Sequence, residues 1–164
     1  MRLRLELPPW FSFDGVVRSH GWYDLPPFSY DAKAGILTTA VGGEGSRPRR
    51  VAFCASRGGL LAEGDGLPRA ELRAAARRVF SLDVALSGFY ALLGGEPALR
   101  RGLERGGGRM LRAPSLFEDA VKMLLTTNCS WEATRGMVRR LIALCGAGGE
   151  AFPEAAAVAR FSPA

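Results

Sequence analysis

The sequence predicts an α+β protein, an N-terminal antiparallel sheet with helices followed by the first helices of an all-α domain. Three observations carry that prediction. Apolar residues recur at every second position in several stretches of the first third of the chain, and from Pro68 onward at steps of three and four. Gly106-Gly107-Gly108 interrupts the helical part and divides an α+β unit, residues 1–105, from an incomplete helical domain, residues 106–164. The 164 residues suffice for one buried core and part of a second.

The elements follow in order. "MRLRLEL" (1–7) places Leu3, Leu5 and Leu7 on one face of a strand and charges on the other, and Pro8-Pro9 stops it. "WFSFDGVVRSHGW" (10–22) reads as a short helix, and "LPPF" (25–28) is a second break. "GILTTAV" (35–41) and "RRVAFCASR" (49–57) are β-rich, with "GGLLAEG" (58–64) a further short strand. Leu72, Ala75, Ala76, Val79 and Phe80 then mark one helix face, with Arg73, Arg77 and Arg78 turned outward.

A second helix is predicted over 83–94 with Asp83 as its cap, and a third opens with Pro97 in its first turn. It dissolves into the glycine run, which reads as a boundary or mobile loop. "SLFE" (115–118) is a capping box, Ser115 accepting from a first-turn amide and Glu118 reaching back. Helices over 115–127 and 130–145 follow. Gly146-Ala147-Gly148-Gly149 ends the second through a left-handed glycine, and "EAAAVARF" (154–161) forms one more after Phe152-Pro153.

Between the two long helices lies Thr-Thr-Asn-Cys-Ser, residues 126–130. The apolar row Phe117, Val121, Leu124 points on to position 128, which is Asn. The following helix carries Trp131, Val138, Leu141, Ile142 and Cys145 on one row and Arg135, Arg139 and Arg140 on another face. A helix N-terminus beside arginines is a natural anion site. Two readings stand side by side at this point: Asn128 and Ser130 as ordinary helix caps, or a turn that touches a ligand.

Charge leans the same way. The net charge is +6, and residues 67–164 carry 14 basic and 9 acidic groups against 8 and 7 in residues 1–66. A basic half suits a polyanion, although a chain with only two lysines and abundant Arg, Ala and Gly also carries the imprint of a GC-rich genome. Cys54, Cys129 and Cys145 form no C-x-x-C pair, so they predict free and mostly buried thiols rather than zinc or disulfides. No apolar run is long enough to span a bilayer, and the N-terminus lacks a signal-peptide block, which predicts a soluble cytoplasmic location near the nucleoid.

The stretch "LRAPSLFEDAVKMLLTTNCSWEATRGMVRRLIALCG", continued by "FPEAAAVARFSP", resembles the opening of the helical domain in the helix-hairpin-helix DNA glycosylases. The shared features are the P-x-x-F-E helix entry, the short break, the "GMVRRL" helix and the Phe-Pro before a short helix. "RRVFSLDVALSGFYALLGG" (77–95) is similar to the lead-in segment of the 3-methyladenine branch, and an N-terminal antiparallel sheet occurs in both the 3-methyladenine and 8-oxoguanine branches.

The resemblance implies a base-excision repair protein that removes damaged purines by hydrolysing the N-glycosidic bond. Its partner would be double-stranded DNA with a damaged or flipped base, and it would need no metal or other cofactor. It implies that the helix–break–helix is a wedge filling the gap of a flipped nucleotide, with Asn128, Thr127, Cys129, Ser130 and Arg135 at the DNA. In the oxoguanine branch an asparagine matches Asn128 and contacts the orphaned base. Further asparagines of that pattern are Cys129 and Ser130 here, and an orphan-reading arginine aligns with Ala133.

The family's glycine-rich hairpin, catalytic aspartate and nucleophilic lysine lie beyond the matched region. The expectation is therefore a chain inactive by itself, since the chemistry needs that carboxylate. A non-catalytic DNA-binding relative or a protein-interaction module is the alternative, and an incomplete core would favour self-association. His20, Trp22 and Tyr23 are weaker candidates for a base pocket, with a small packed core around a bonded histidine as the plainer account. Arg100, Arg101, Arg105, Arg109 and Arg112 surround the glycine run as phosphate contacts or as a solvated face.

Overall fold

The computed structural model describes residues 1–42, 47–93, 96–104 and 106–161. Five strands form one antiparallel sheet: β1 (Arg2–Leu5), β2 (Ser29–Asp31), β3 (Ile36–Val41), β4 (Arg49–Ser56) and β5 (Gly59–Gly64), in the order β1-β5-β4-β3-β2. Among the described residues the helices are α1 (Phe13–Val17), α2 (Arg69–Val79), α3 (Ser87–Leu93), α4 (Pro97–Glu104), α5 (Leu116–Leu125), α6 (Trp131–Cys145) and α7 (Ala155–Ala159). The α+β class read from periodicity is the class observed.

Register follows from the alternation. Leu3 pairs with Ala62 and Leu5 with Leu60, while Arg2 faces Glu63 on the wet side. Leu37 stands opposite Phe53 and Phe53 opposite Ala62, so one continuous apolar face crosses the sheet. α2 covers it with Leu72, Ala76 and Val79. Phe80 meets Phe53 edge-on at 5.2 Å and lies 5.3 Å from Phe13. Burying each such ring contributes about 1.5–3 kcal/mol. The strand β2 has no sequence signature, because three residues after Pro26-Pro27 are too few to show an alternation.

Several local expectations change. The helix expected over 83–94 begins only at Ser87, and Asp83 is an ion-pair partner of Arg112 rather than a cap. Arg78, expected on the outer face, turns inward, where it donates to the Ala113 carbonyl at 3.0 Å and pairs with Asp119 at 2.9 Å. The glycine run after α6 holds left-handed residues at Gly148 (φ 60°) and Gly149 (φ 68°), whereas Gly146, the C-cap itself, has φ −74°. It is required instead by close approach, since a Cβ there would stand 2.2 Å from the Ala151 carbonyl oxygen. In the glycine run, Gly106 packs against residues 10–12, where a Cβ would stand 2.5 Å from that of Ser12. Beyond it, Leu111 and Ala113 belong to the sheet's hydrophobic core.

The largest departure is the rotation of α5. Ser115 caps it as expected, accepting from the Glu118 amide at 3.1 Å. Glu118 does not reach back. Its carboxylate is buried and accepts from Lys122 Nζ at 2.6 Å. Lys122 is wholly buried, bonds the Leu25 carbonyl at 3.4 Å and lies 5.0 Å from the Phe28 ring and 5.7 Å from that of Phe152. Leu25 and Phe28 belong to the sheet core, whereas Phe152 belongs to a second cluster with Val138 and Ile142. The lysine therefore joins the two cores. The expected row Phe117–Val121–Leu124 is broken at its end, because Leu124 is 69% exposed and Leu125 packs in its place.

A buried pair of this kind makes each partner costly to remove alone. Lys122→Met strands a buried carboxylate and is expected to lower stability by roughly 3–5 kcal/mol. Adding Glu118→Leu should recover most of that loss. Urea unfolding of both variants gives the comparison, and a double variant no more stable than the single would show that stranded charge is not the cause.

Candidate nucleic-acid interface

The turn between α5 and α6 uses nearly all its polar side chains on itself. Thr126 Oγ1 donates to the Met123 carbonyl at 2.6 Å, Thr127 Oγ1 to that of Leu124 at 2.7 Å, and Cys129 Sγ to that of Leu125 at 2.8 Å. The buried Thr134 also donates to Leu125 at 2.9 Å. These bonds satisfy carbonyls that a helix end leaves open. Ser130 caps α6 by accepting from the Ala133 amide at 3.2 Å. The turn is thus closed at both ends.

Asn128 is the exception. Its φ is 54°, in the left-handed region that asparagine tolerates better than most residues, and it lies exposed at the tip. Among the described residues its carboxamide makes no hydrogen bond. Position 128 is therefore both a helix terminator and the one polar tip group left for an outside partner. The row that singled it out in the sequence is not the buried row, but the chain reversal brings it to the tip all the same.

The site is anchored from below. The one-turn 3-10 helix Gly21–Asp24 lies against the start of α6, with Gly21 so close to the Trp131 ring that a Cβ would stand 2.4 Å from it. Trp131 Nε1 donates to Asp24 at 2.9 Å, and Arg135 pairs with the same carboxylate at 3.5 Å and with Glu132 at 3.7 Å. Arg135, expected at the DNA, is engaged within the chain. Arg139 and Arg140 on the same helix remain exposed.

The other candidates are placed as follows. His20 is a structural joint: its Nδ1 accepts from the Trp22 amide at 3.1 Å and its Nε2 lies 2.8 Å from the Leu111 carbonyl. That pairing makes Nε2 the protonated nitrogen. Trp22 is buried and donates through Nε1 to Asp119 at 2.9 Å, while Tyr23 packs edge-on against Tyr30. Arg109 is buried, donating to the Ser81 and Val84 carbonyls, and Arg112 bonds the Arg78 carbonyl and Asp83. Both brace irregular backbone rather than forming a solvated face. Arg101 is exposed, and Arg105 lies outside the described residues. Cys129 is exposed and Cys54 and Cys145 are half-buried, so the thiols are more accessible than their residue type predicts.

Sequence reasoning missed Asp24 and Asp119, the two carboxylates that fix the site. Irregular spacing hid them, and only their pairing with distant Trp and Arg side chains reveals the role. Among the described residues, no group of His, Cys, Asp and Glu is arranged to hold a metal ion. Burial raises the pKa of Glu118 and lowers that of Lys122, with each opposed by its partner.

Burial also lowers the pKa of His20 below its ordinary 6.5. The unfolded chain then binds the proton first, so stability falls as pH drops below about 6.5 toward the folded pKa and is fully present above it. In His20→Asn that acid-side slope should flatten. Unfolding free energies at a series of pH values check this, and identical slopes in both proteins would remove His20 as the source.

No protein-family model matches the sequence, and comparison with curated proteins finds no match. Solved structures do match. A 3-methyladenine DNA glycosylase from Archaeoglobus fulgidus superposes with a TM-score of 0.67 at 18% identity, over 87% of this chain and 50% of that one. MBOgg1, solved in complex with a low-affinity DNA ligand, superposes with a TM-score of 0.67 at 15% identity, over 99% of this chain and 57% of that one. The chain thus spans about half the length of each. At such identities the likeness is one of fold, and the fold is that of a DNA glycosylase over the portion matched.

Proposed function

We propose that this chain engages duplex DNA in base-excision repair, with the Asn128 turn as a wedge that fills the space of a flipped, damaged purine. The observation that carries the reading is the tip itself. Every neighbouring polar side chain of the turn is committed to closing a helix end, and among the described residues the Asn128 carboxamide is exposed and unengaged. Such a tip offers donor and acceptor to an orphaned base without reorganising, which helps offset the few kcal/mol that flipping costs. Arg139 and Arg140 on α6 and the amide end of that helix suit the flanking phosphates.

The glycosylase fold and the DNA ligand held by MBOgg1 support the partner class. On this reading the residues present supply duplex engagement, and cleavage of the N-glycosidic bond falls to groups that they do not include. A second reading, self-association, is favoured by one observation: Leu116, Leu124 and Leu144 are 74%, 69% and 68% exposed on α5 and α6. Sedimentation over a concentration series tests it, and a monomer throughout would remove it.

The wedge is tested with fluorescence anisotropy on an intact duplex and on one with an abasic gap. Asn128→Gly is the clean variant, because glycine keeps the left-handed backbone while alanine would add strain. Loss of a hydrogen bond worth about 1 kcal/mol predicts roughly fivefold weaker binding to the gapped duplex, with little change on the intact one. Equal loss on both sinks the wedge. Arg139→Gln should instead weaken both equally and reduce the salt slope by about 1. A parent protein with no salt dependence would end the DNA reading.

A further inference from the structure

A cavity of about 620 Å³ lies between the N-terminal segment Pro8-Pro9-Trp10 and the stretch that runs from Leu82 into α3. None of the residues of the Asn128 turn lines it. Its walls include Val84 and Leu86, with Trp10 and Tyr90 as aromatic surfaces. A volume of this size falls within the range of small-molecule sites, which are apolar with a few convergent polar groups.

Among the described residues, two polar groups of this lining have no partner: the Tyr90 hydroxyl and Nε of Arg109 are both buried without a hydrogen bond. Arg109 is itself only 6% exposed. Its guanidinium donates to the Ser81 and Val84 carbonyls, but among the described residues no carboxylate lies within ion-pair distance. A buried cation ordinarily has a counter-charge, and a buried unpaired donor costs free energy. Asp83 also lines the cavity, yet Arg112 already pairs with it, so it does not neutralise Arg109.

We propose that this cavity binds a small aryl carboxylate, with the ring body among Trp10, Val84 and Tyr90 and the carboxylate on Arg109 and the Tyr90 hydroxyl. Both atoms are closed off from solvent in this structure, so the two side chains must turn toward the anion, which then supplies the acceptor that each lacks. Charge-assisted bonds of this kind are the stronger class of hydrogen bond. The aromatic walls select a planar body over a flexible chain. The assignment uses no residue of the proposed DNA tip, so either can fail while the other stands.

The probe is 2-naphthoate, with its uncharged amide as control, titrated into the full chain and followed by NMR amide shifts. Saturable shifts confined to Trp10 and residues 82–91 are expected, with the uncharged amide binding roughly tenfold more weakly. Arg109→Met risks unfolding the segment it braces, so two milder variants decide the matter. Tyr90→Phe removes an unpartnered hydroxyl and should weaken the acid severalfold without lowering the thermal midpoint. Ala91→Trp, at the cavity wall, should abolish binding in a folded protein. Equal affinity for acid and amide, binding indifferent to both variants, or no saturable binding up to the solubility limit would each overturn the proposal.

Discussion

The carboxylate of Asp119 is the constraint on which the rest of the molecule depends. Its Oδ1 accepts from Trp22 Nε1 at 2.9 Å and from the Ala113 amide at 2.7 Å, and its Oδ2 accepts from Arg78 at 2.9 Å. Four separate pieces of chain meet there: the 3-10 turn, α2, the extended segment before α5, and α5 itself. Charge-assisted bonds to a largely enclosed carboxylate are directional as well as strong, so they fix the rotation of α5 about its axis. Once that rotation is set, Glu118 and Lys122 must lie inward and Leu116 and Leu124 outward. The buried pair is thus a consequence of where Asp119 is held, and Lys122 then carries the connection onward to Leu25, Phe28 and Phe152.

What the sequence made legible divides along the same line. Strands β1, β3, β4 and β5 were readable because one sheet face is buried, and a period of two is then imposed residue by residue. α2 was readable for the equivalent reason at a period of 3.6. The rotation of α5 was not, because its most apolar row is not its buried row. A pattern that counts apolar residues assigns Glu118 and Lys122 to solvent, and a buried ion pair inverts that assignment. One signal was available: Lys122 follows Glu118 by four residues, and it is one of only two lysines in an arginine-rich chain.

The arginines were misread for a related reason. Arg78, Arg109 and Arg112 fold inward onto the carbonyls of Ala113, Ser81, Val84 and Arg78, in stretches where backbone leaves its helix or strand partners behind. Buried carbonyls in irregular segments require donors, and a guanidinium carries five. Sequence shows the positive charge but not the carbonyls waiting for it. A basic composition therefore overstates the charge presented to solvent, and α6, with Arg139 and Arg140, is a better guide to a polyanion face than the arginines around the glycine run.

Under the proposed function, capping and DNA contact at the Asn128 turn do not compete. Insertion into a duplex requires a tip that does not lose much conformational freedom on binding, because ordering each residue costs about 1–2 kcal/mol. Thr126, Thr127, Cys129 and Ser130 have already ordered it by closing the helix ends. Asp24 then holds the base of α6 through Trp131 and Arg135, so the tip cannot rotate freely relative to the sheet domain. A left-handed residue is needed to reverse the chain, and asparagine accepts that conformation while bringing both a donor and an acceptor without a charge. On the proposed reading, capping stiffens the turn for its role as a wedge, and Asn128 is the residue at which the two requirements coincide.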